Sequence, residues 1–400
     1  MTNLEQTASV GYQEPTKIWN PLFINVVIVN IAMNFGQFMM NTLISKFANY
    51  LGATSTVVGM IASMFTITAL LVKPISGPAI DTFSKKKILC GAILVIMVAF
   101  ITYGSAHSVG TIVVARLIHG CGMGFTASTC LALASDALPK DKLTQGIGYF
   151  SLGQAIVSAV GPTIGLSLVK VLGYNMTFFV GAAMMGAAAI LAATMKVPPR
   201  TGEKKKLVIS LSNMFAKEAI IPAVFLFFLA MSYGTISSFL VLYAQEERGV
   251  EQIGLFFTVN ALCLLVTRPV IGKLADKFGI HKVLLPAFCM FALSLFMISI
   301  SDSLPMFLMT AVINACGYGA AQPTIQALCM KCVTPERRGV GGSTNYIGTD
   351  LGYLIGPTLS GMLVSNFGYS AMYRFMILPI LAACVVFFIV YPKIKAICTK

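Results

Sequence analysis

Long apolar runs separated by short polar connections follow one another along almost the entire chain. Twelve are long enough to span a bilayer: residues 19–44, 55–79, 88–107, 111–134, 144–168 and 174–195, then 219–243, 253–273, 283–301, 306–330, 340–364 and 371–392. Crossing ~30 Å of hydrocarbon at ~1.5 Å per residue takes about 20 residues of helix. The runs are too long and too continuously apolar to be barrel strands. The first run interrupts its own pattern: "NIAMNFGQFMMN" carries Asn30, Asn34, Gln37 and Asn41, which fall within an arc of about 60° on a helix. An amide stripe of this kind is expected to face an internal cavity or a neighbouring helix.

Composition agrees with a polytopic helical membrane protein. Hydrophobic residues make up 57% of the 400 positions and charged residues 10%, and the mean hydropathy is +0.84. The formal charge of +14 suggests nucleic acid until the basic residues are placed. Most lie in one set of connections, including Lys85, Lys86, Lys87, Lys204, Lys205, Lys206, Arg337 and Arg338, whereas the opposite set holds Lys46, Lys170, Arg248 and Arg374. By the positive-inside rule both termini are cytoplasmic, so the charge marks topology and no nucleic-acid partner is expected. The first 18 residues are polar and the following run is too long for a signal-peptide core, so no cleavable signal is expected. The ten cysteines avoid the outer loops and show no metal-ligand spacing with the three histidines, so neither disulfides nor a metal are expected.

The chain repeats itself at an offset of 195 residues. "KPISGPAID" (Lys73–Asp81) matches "RPVIGKLAD" (Arg268–Asp276), and Gly153, Gly161-Pro162 and Gly173-Tyr174 recur as Gly348, Gly356-Pro357 and Gly368-Tyr369. A duplicated set of six helices keeps one orientation, which predicts two parallel halves with a binding site at the midplane between them. The organisation expected is a cytoplasmic tail (1–18), an N-terminal half (19–195), a cytoplasmic linker (196–217), a C-terminal half (218–392) and a second tail (393–400).

These features together resemble the major facilitator superfamily, and among its members the bacterial drug:proton antiporters. The family signature G-x-x-x-D-R-x-G-R-K is clear in the second half as Gly272, Asp276, Lys277, Gly279 and Lys282. In the first half Gly77 and Asp81 remain, but Thr82 and Ser84 stand where arginine and glycine are usual. The resemblance implies a gating role for Gly77, Asp81, Gly272 and Asp276, and Lys73 and Arg268 join them as basic residues equivalent in the repeat. Arg116 in "RLIHGCGMG" resembles the arginine implicated in proton-coupled members. Gly161, Pro162 and Gly165, with Gly352, Gly356 and Pro357 in the second copy, match part of the glycine–proline pattern that tends to mark exporters and also serve helix packing.

One acid remains embedded. Asp350, in "GTDLGYLIGP", lies about ten residues into its run, ~15 Å deep. A lone carboxylate there costs several kcal/mol unless protonated or paired, so proton coupling, binding of a cationic substrate, or an ion pair with Lys73 or Arg268 are the open readings. Asn30, Asn34, Gln37, Asn41, Tyr233, Asn260, Asn314, Tyr318, Gln322 and Asn345, with Met33, Met39 and Met40, are expected to line a shared cavity suited to amphipathic molecules. The expected function is proton-coupled export of a small amphipathic organic compound, with Asp350 and Arg116 in coupling. The alternative is a symporter or facilitator importing a small metabolite such as an organic anion. No nucleotide-binding loop is present; no cofactor and no enzymatic activity are expected. The expected setting is a monomer spanning the plasma membrane, the inner membrane of a bacterium.

Overall fold

A computed structural model describes residues 15–197 and 211–398. Most of the N-terminal tail, most of the linker with its Lys204–Lys206 run, and the last two residues lie outside the described residues. The described chain is helical: α1 (Pro21–Tyr50), α2 (Ser55–Thr82), α3 (Lys85–Gly104), α4 (Val109–Asp136), α5 (Leu143–Thr194), a one-turn α6 (Leu211–Met214) in the linker, α7 (Ile220–Leu242), α8 (Gly254–Phe278), α9 (Ile280–Ile300), α10 (Leu304–Cys332), α11 (Arg338–Phe375) and α12 (Leu378–Cys398). Asn20 and Ser108 cap α1 and α4 by accepting from the Phe23 and Thr111 amides, satisfying donors that a helix start leaves free.

Among the described residues, ten helical stretches are long and apolar enough to cross a membrane, α11 and α12 forming one of them, two fewer than the twelve runs. Runs five and six share α5, which contains a single non-helical residue, Gly173 (φ 74°), and α11 contains its repeat equivalent, Gly368 (φ 79°). Only glycine enters this backbone region cheaply. Gly165 and Gly181, eight residues either side of Gly173, pack against the adjacent Met39 and Met40 of α1, so the chain doubles back at Gly173. The C-terminal half behaves alike. Gly356 packs on Met231, and Ser232 donates to the Met376 carbonyl beyond Gly368.

Each half is built around its own aromatic core. Phe47, Phe100, Tyr103 and Phe178 cluster in the first half, and Phe225, Phe288 and Phe387 in the second. Large apolar side chains such as Leu71, Val171, Ile190, Val266 and Ile389 are exposed, a surface that suits lipid rather than water. The halves meet through α2 on α11 and α5 on α8. A Cβ on Gly77 would lie 2.9 Å from Val340 Cα, and one on Gly272 would lie 2.6 Å from Gln145 Cα. Both glycines and both partners are repeat equivalents, so the two crossings are one contact used twice.

The weaker first-half signature has a structural reason. Gly279 sits at φ 92° in the turn from α8 to α9. Its counterpart Ser84 has φ −65° and ψ 117°, which any residue adopts.

Candidate functional site

A cavity of about 950 Å³ lies between the halves, lined by α1, α2, α4, α5, α7, α8, α10 and α11. It reaches Gly254, the first residue of α8, and Thr163 of α5. At the opposite end the halves are latched together. The Asp81 carboxylate accepts from the Gly339 and Val340 amides at 2.6 and 2.9 Å, and Asp276 accepts from those of Thr144 and Gln145 at 3.1 and 2.8 Å. Each acid thus holds the first turn of a helix in the other half, where free amides and the helix dipole favour negative charge. Lys331 adds a 3.2 Å contact to Asp276, and Asp136 takes Lys85 and Arg338 at 2.5 and 2.8 Å.

At the cavity floor, Lys73 and Asp350 form an ion pair from one half to the other, with side chains 5% and 20% exposed. The Lys73 ammonium also sits 5.3 Å over the Tyr346 ring. Arg268 reaches the opposite way, donating to the Ser151 carbonyl of α5 and, at 3.0 Å, to Gln322 Oε1. Ser151 and Tyr346 are repeat equivalents, so each base crosses to the same station on the opposite half. Asp350 corresponds to Ala155, and so Arg268 finds neutral oxygens where Lys73 finds a carboxylate.

Of the residues expected to line the cavity, Asn30, Asn34, Gln37, Asn41, Tyr233, Asn260, Tyr318 and Gln322 do so, as do Arg116, Lys73, Arg268 and Asp350. Asn314 and Asn345 do not. Asn314 stands behind the wall, accepting from Asn260 at 3.0 Å and donating to Ser294. Successive steps of four residues rotate a helical stripe by ~40°, enough to turn Asn314 away while Tyr318 and Gln322 still face inward. Asn345 is fully buried, with neither end of its amide bonded to protein. Met33 lines the cavity, whereas Met39 and Met40 are core residues facing Gly165 and Gly181. Gly161 and Gly165 pack on α1, and Gly352 and Gly356 on α7, with Pro357 against Gly234. Pro162 lies within α5 and Pro357 within α11, each removing one backbone donor from its helix.

The structure adds wall residues that sequence reasoning missed: Phe65, Gln154, Tyr346 and Tyr353. Tyr346, Asp350 and Tyr353 follow i, i+4, i+7 spacing, a helical signal available in the sequence. Tyr353 hydrogen-bonds Tyr318 at 2.8 Å, and Tyr318 stacks on Tyr233 at 3.7 Å between centroids. The wall therefore pairs an aromatic face with an amide stripe. Arg116 is 1% exposed, donates both Nη groups to Asn41 Oδ1 at 3.2 Å, and lies 5.2 Å over Phe65. His119, one turn away, is enclosed by Phe65, Phe100 and Tyr103 and forms no part of the wall.

Comparison with known proteins gives the same architecture. Multidrug resistance protein 1 of Bacillus subtilis is 24% identical over 79% of this chain and 82% of that protein. The multi-drug resistance efflux pump PmrA of Streptococcus pneumoniae is 26% identical over 85% of this chain and 90% of its own. Among solved structures, FucP in its outward conformation superposes with a TM-score of 0.78 at 14% identity, covering 92% of this chain and 98% of that one. The model of the Major Facilitator Superfamily matches residues 26–252 and 223–396, nearly the whole described chain. The protein is a multi-pass membrane transporter belonging to the Major Facilitator Superfamily.

Proposed function

We propose that the protein exports a small amphipathic organic compound in exchange for protons, as a monomer in the plasma membrane of a bacterium. The chain crosses the membrane twelve times, with Gly173 and Gly368 at outer turns and both ends cytoplasmic. In this reading the cavity is open to the outside, because it reaches the outer start of α8 and ends above the Asp81 and Asp276 caps. The relatives named for multidrug resistance and efflux support the outward direction.

The observation that carries the coupling is the Lys73–Asp350 pair, which ties the two halves together at the cavity floor. A proton arriving from outside neutralises Asp350 and removes the attraction to Lys73, which loosens the floor. Rocking then requires the Asp81 and Asp276 caps to open on the inner side. There, a cationic or hydrogen-bond-donating group of the substrate competes with the proton for Asp350. Competition for one carboxylate is what makes exchange obligatory.

Everted membrane vesicles acidified inside test the direction: they accumulate a substrate of the exporter. If the gradient instead drives the compound out of such vesicles, the protein is an importer, and uptake of a metabolite such as an organic anion replaces the export reading.

A further inference from the structure

We propose that Arg116 and Asn41 form a subsite for an anionic group, so that the exported compounds carry a carboxylate or a like anion on an apolar body. The inference rests on the transport reading above and names the substrate class of the same cavity. Among the described residues lining it, the charged groups are three bases, Lys73, Arg116 and Arg268, and one acid, Asp350. Lys73 takes the acid. Among the described residues, neither arginine makes an ion pair. Arg268 is engaged by a carbonyl and an amide oxygen across the floor. Arg116 has a weaker set: both Nη groups share the single Asn41 oxygen, the neutral Tyr103 hydroxyl lies beside the guanidinium, and Nε meets no acceptor within hydrogen-bond distance.

A guanidinium buried without a counter-charge is expensive to hold in a membrane-embedded site. Its planar fork matches two carboxylate oxygens, so the partner it lacks is defined by shape as well as by sign. Asn41 is half-buried on the cavity wall, and its side chain can turn to admit an anion. Phe65 beneath Arg116 and Phe38 on the same wall supply apolar contact for the rest of the molecule.

Depth separates this subsite from the coupling group. Arg116 lies seven residues inside the outer end of α4, about 10 Å, whereas Asp350 is twelve residues above the inner end of α11, about 18 Å. An anion at Arg116 therefore leaves Asp350 free to exchange its proton against another part of the compound.

The test is equilibrium binding to the purified full-length protein in lipid nanodiscs, without any gradient. The probes are 4-phenylbutyrate, 4-phenylbutyramide and 4-phenylbutylamine, which share one apolar body. Wild type is expected to bind the carboxylate about tenfold more tightly than the amide, the scale of a charge-assisted pair, while the amine is the control whose affinity does not fall in the Arg116 variants. Arg116→Gln is expected to bring the carboxylate down to the level of the amide. Arg116→Lys, which keeps the charge without the fork, falls between and replaces the glutamine variant if that fails to elute as a folded monomer. Equal binding of the three probes, no carboxylate binding at millimolar concentration, or an undiminished preference in the variants overturns the proposal. Because binding needs neither gradient nor direction, a failure here is distinct from a failure of proton-driven export in vesicles.

Discussion

Lys73 of the first half and Asp350 of the second meet at the floor of the central cavity, and this ion pair spans the two units that must move relative to one another. It is a structural tie and, in the proposed exchange, the group that a proton switches. Removing either partner leaves the other buried and unpaired, which costs about 3–5 kcal/mol where the pair is fully enclosed. The loss is smaller here because Asp350 is partly exposed. Lys73→Met is expected to lower the melting temperature of the purified protein. The swapped pair Lys73→Asp with Asp350→Lys is expected to recover part of the loss, whereas each single reversal does not. A thermal-shift double-mutant cycle measures the coupling.

The two latches share one backbone cap, and Asp276 adds an ion pair with Lys331, so removing either acid should shift the halves in the same direction. Asp81→Ala and Asp276→Ala each remove the acceptor from the first turn of a helix in the opposite half. A cap of this kind is worth about 1 kcal/mol, enough for a roughly fivefold shift in a two-state population. Spin-label distances across the inner ends of α2 and α11 should lengthen in both variants. Unchanged distances in both count against the latch.

Gly77 and Gly272 make a sterically harsher version of the same test. A Cβ at either position meets the backbone of the other half within 3 Å, and backbone cannot step aside as a flexible side chain would. Gly77→Ala and Gly272→Ala should therefore disfavour the inner-closed state. Cysteines introduced on the cavity wall should become more reactive from the inner side than in wild type.

Asn345 separates wall from core. Its amide is enclosed without protein partners, and a buried polar group without a hydrogen bond is a net cost. Asn345→Leu is expected to leave substrate affinity unchanged, with stability equal to or above wild type. Gln37→Leu, on the wall, is expected to change affinity. Calorimetry and binding to the same samples read both.

Several of these relationships were legible in the sequence. The 195-residue repeat predicts the two halves, and because Gly77, Asp81, Gly272 and Asp276 sit at repeat stations, their symmetric use follows from it. The pairing of Asp350 with Lys73 was one of the open readings, since both were charged residues with few alternatives in apolar spans. The Arg268 contact was not legible, because its partner in the first half is the backbone carbonyl of Ser151, which leaves no mark on residue type. Amides in apolar spans signal polarity without direction, so the sequence does not separate Asn314 and Asn345 from the wall amides. Helix rotation and neighbouring helices decide which way each one turns. The break between runs five and six was legible: it falls at Gly173, between the ends read at 168 and 174, and is a single non-helical residue.

The central claim is that Asp350 carries the proton that drives transport. Its most direct test is gradient-driven accumulation of a transported compound in proteoliposomes, wild type against Asp350→Asn, alongside gradient-free exchange of labelled for unlabelled compound. The account predicts that Asp350→Asn loses response to the pH gradient while exchange continues. Full gradient-driven accumulation by the asparagine variant would contradict it.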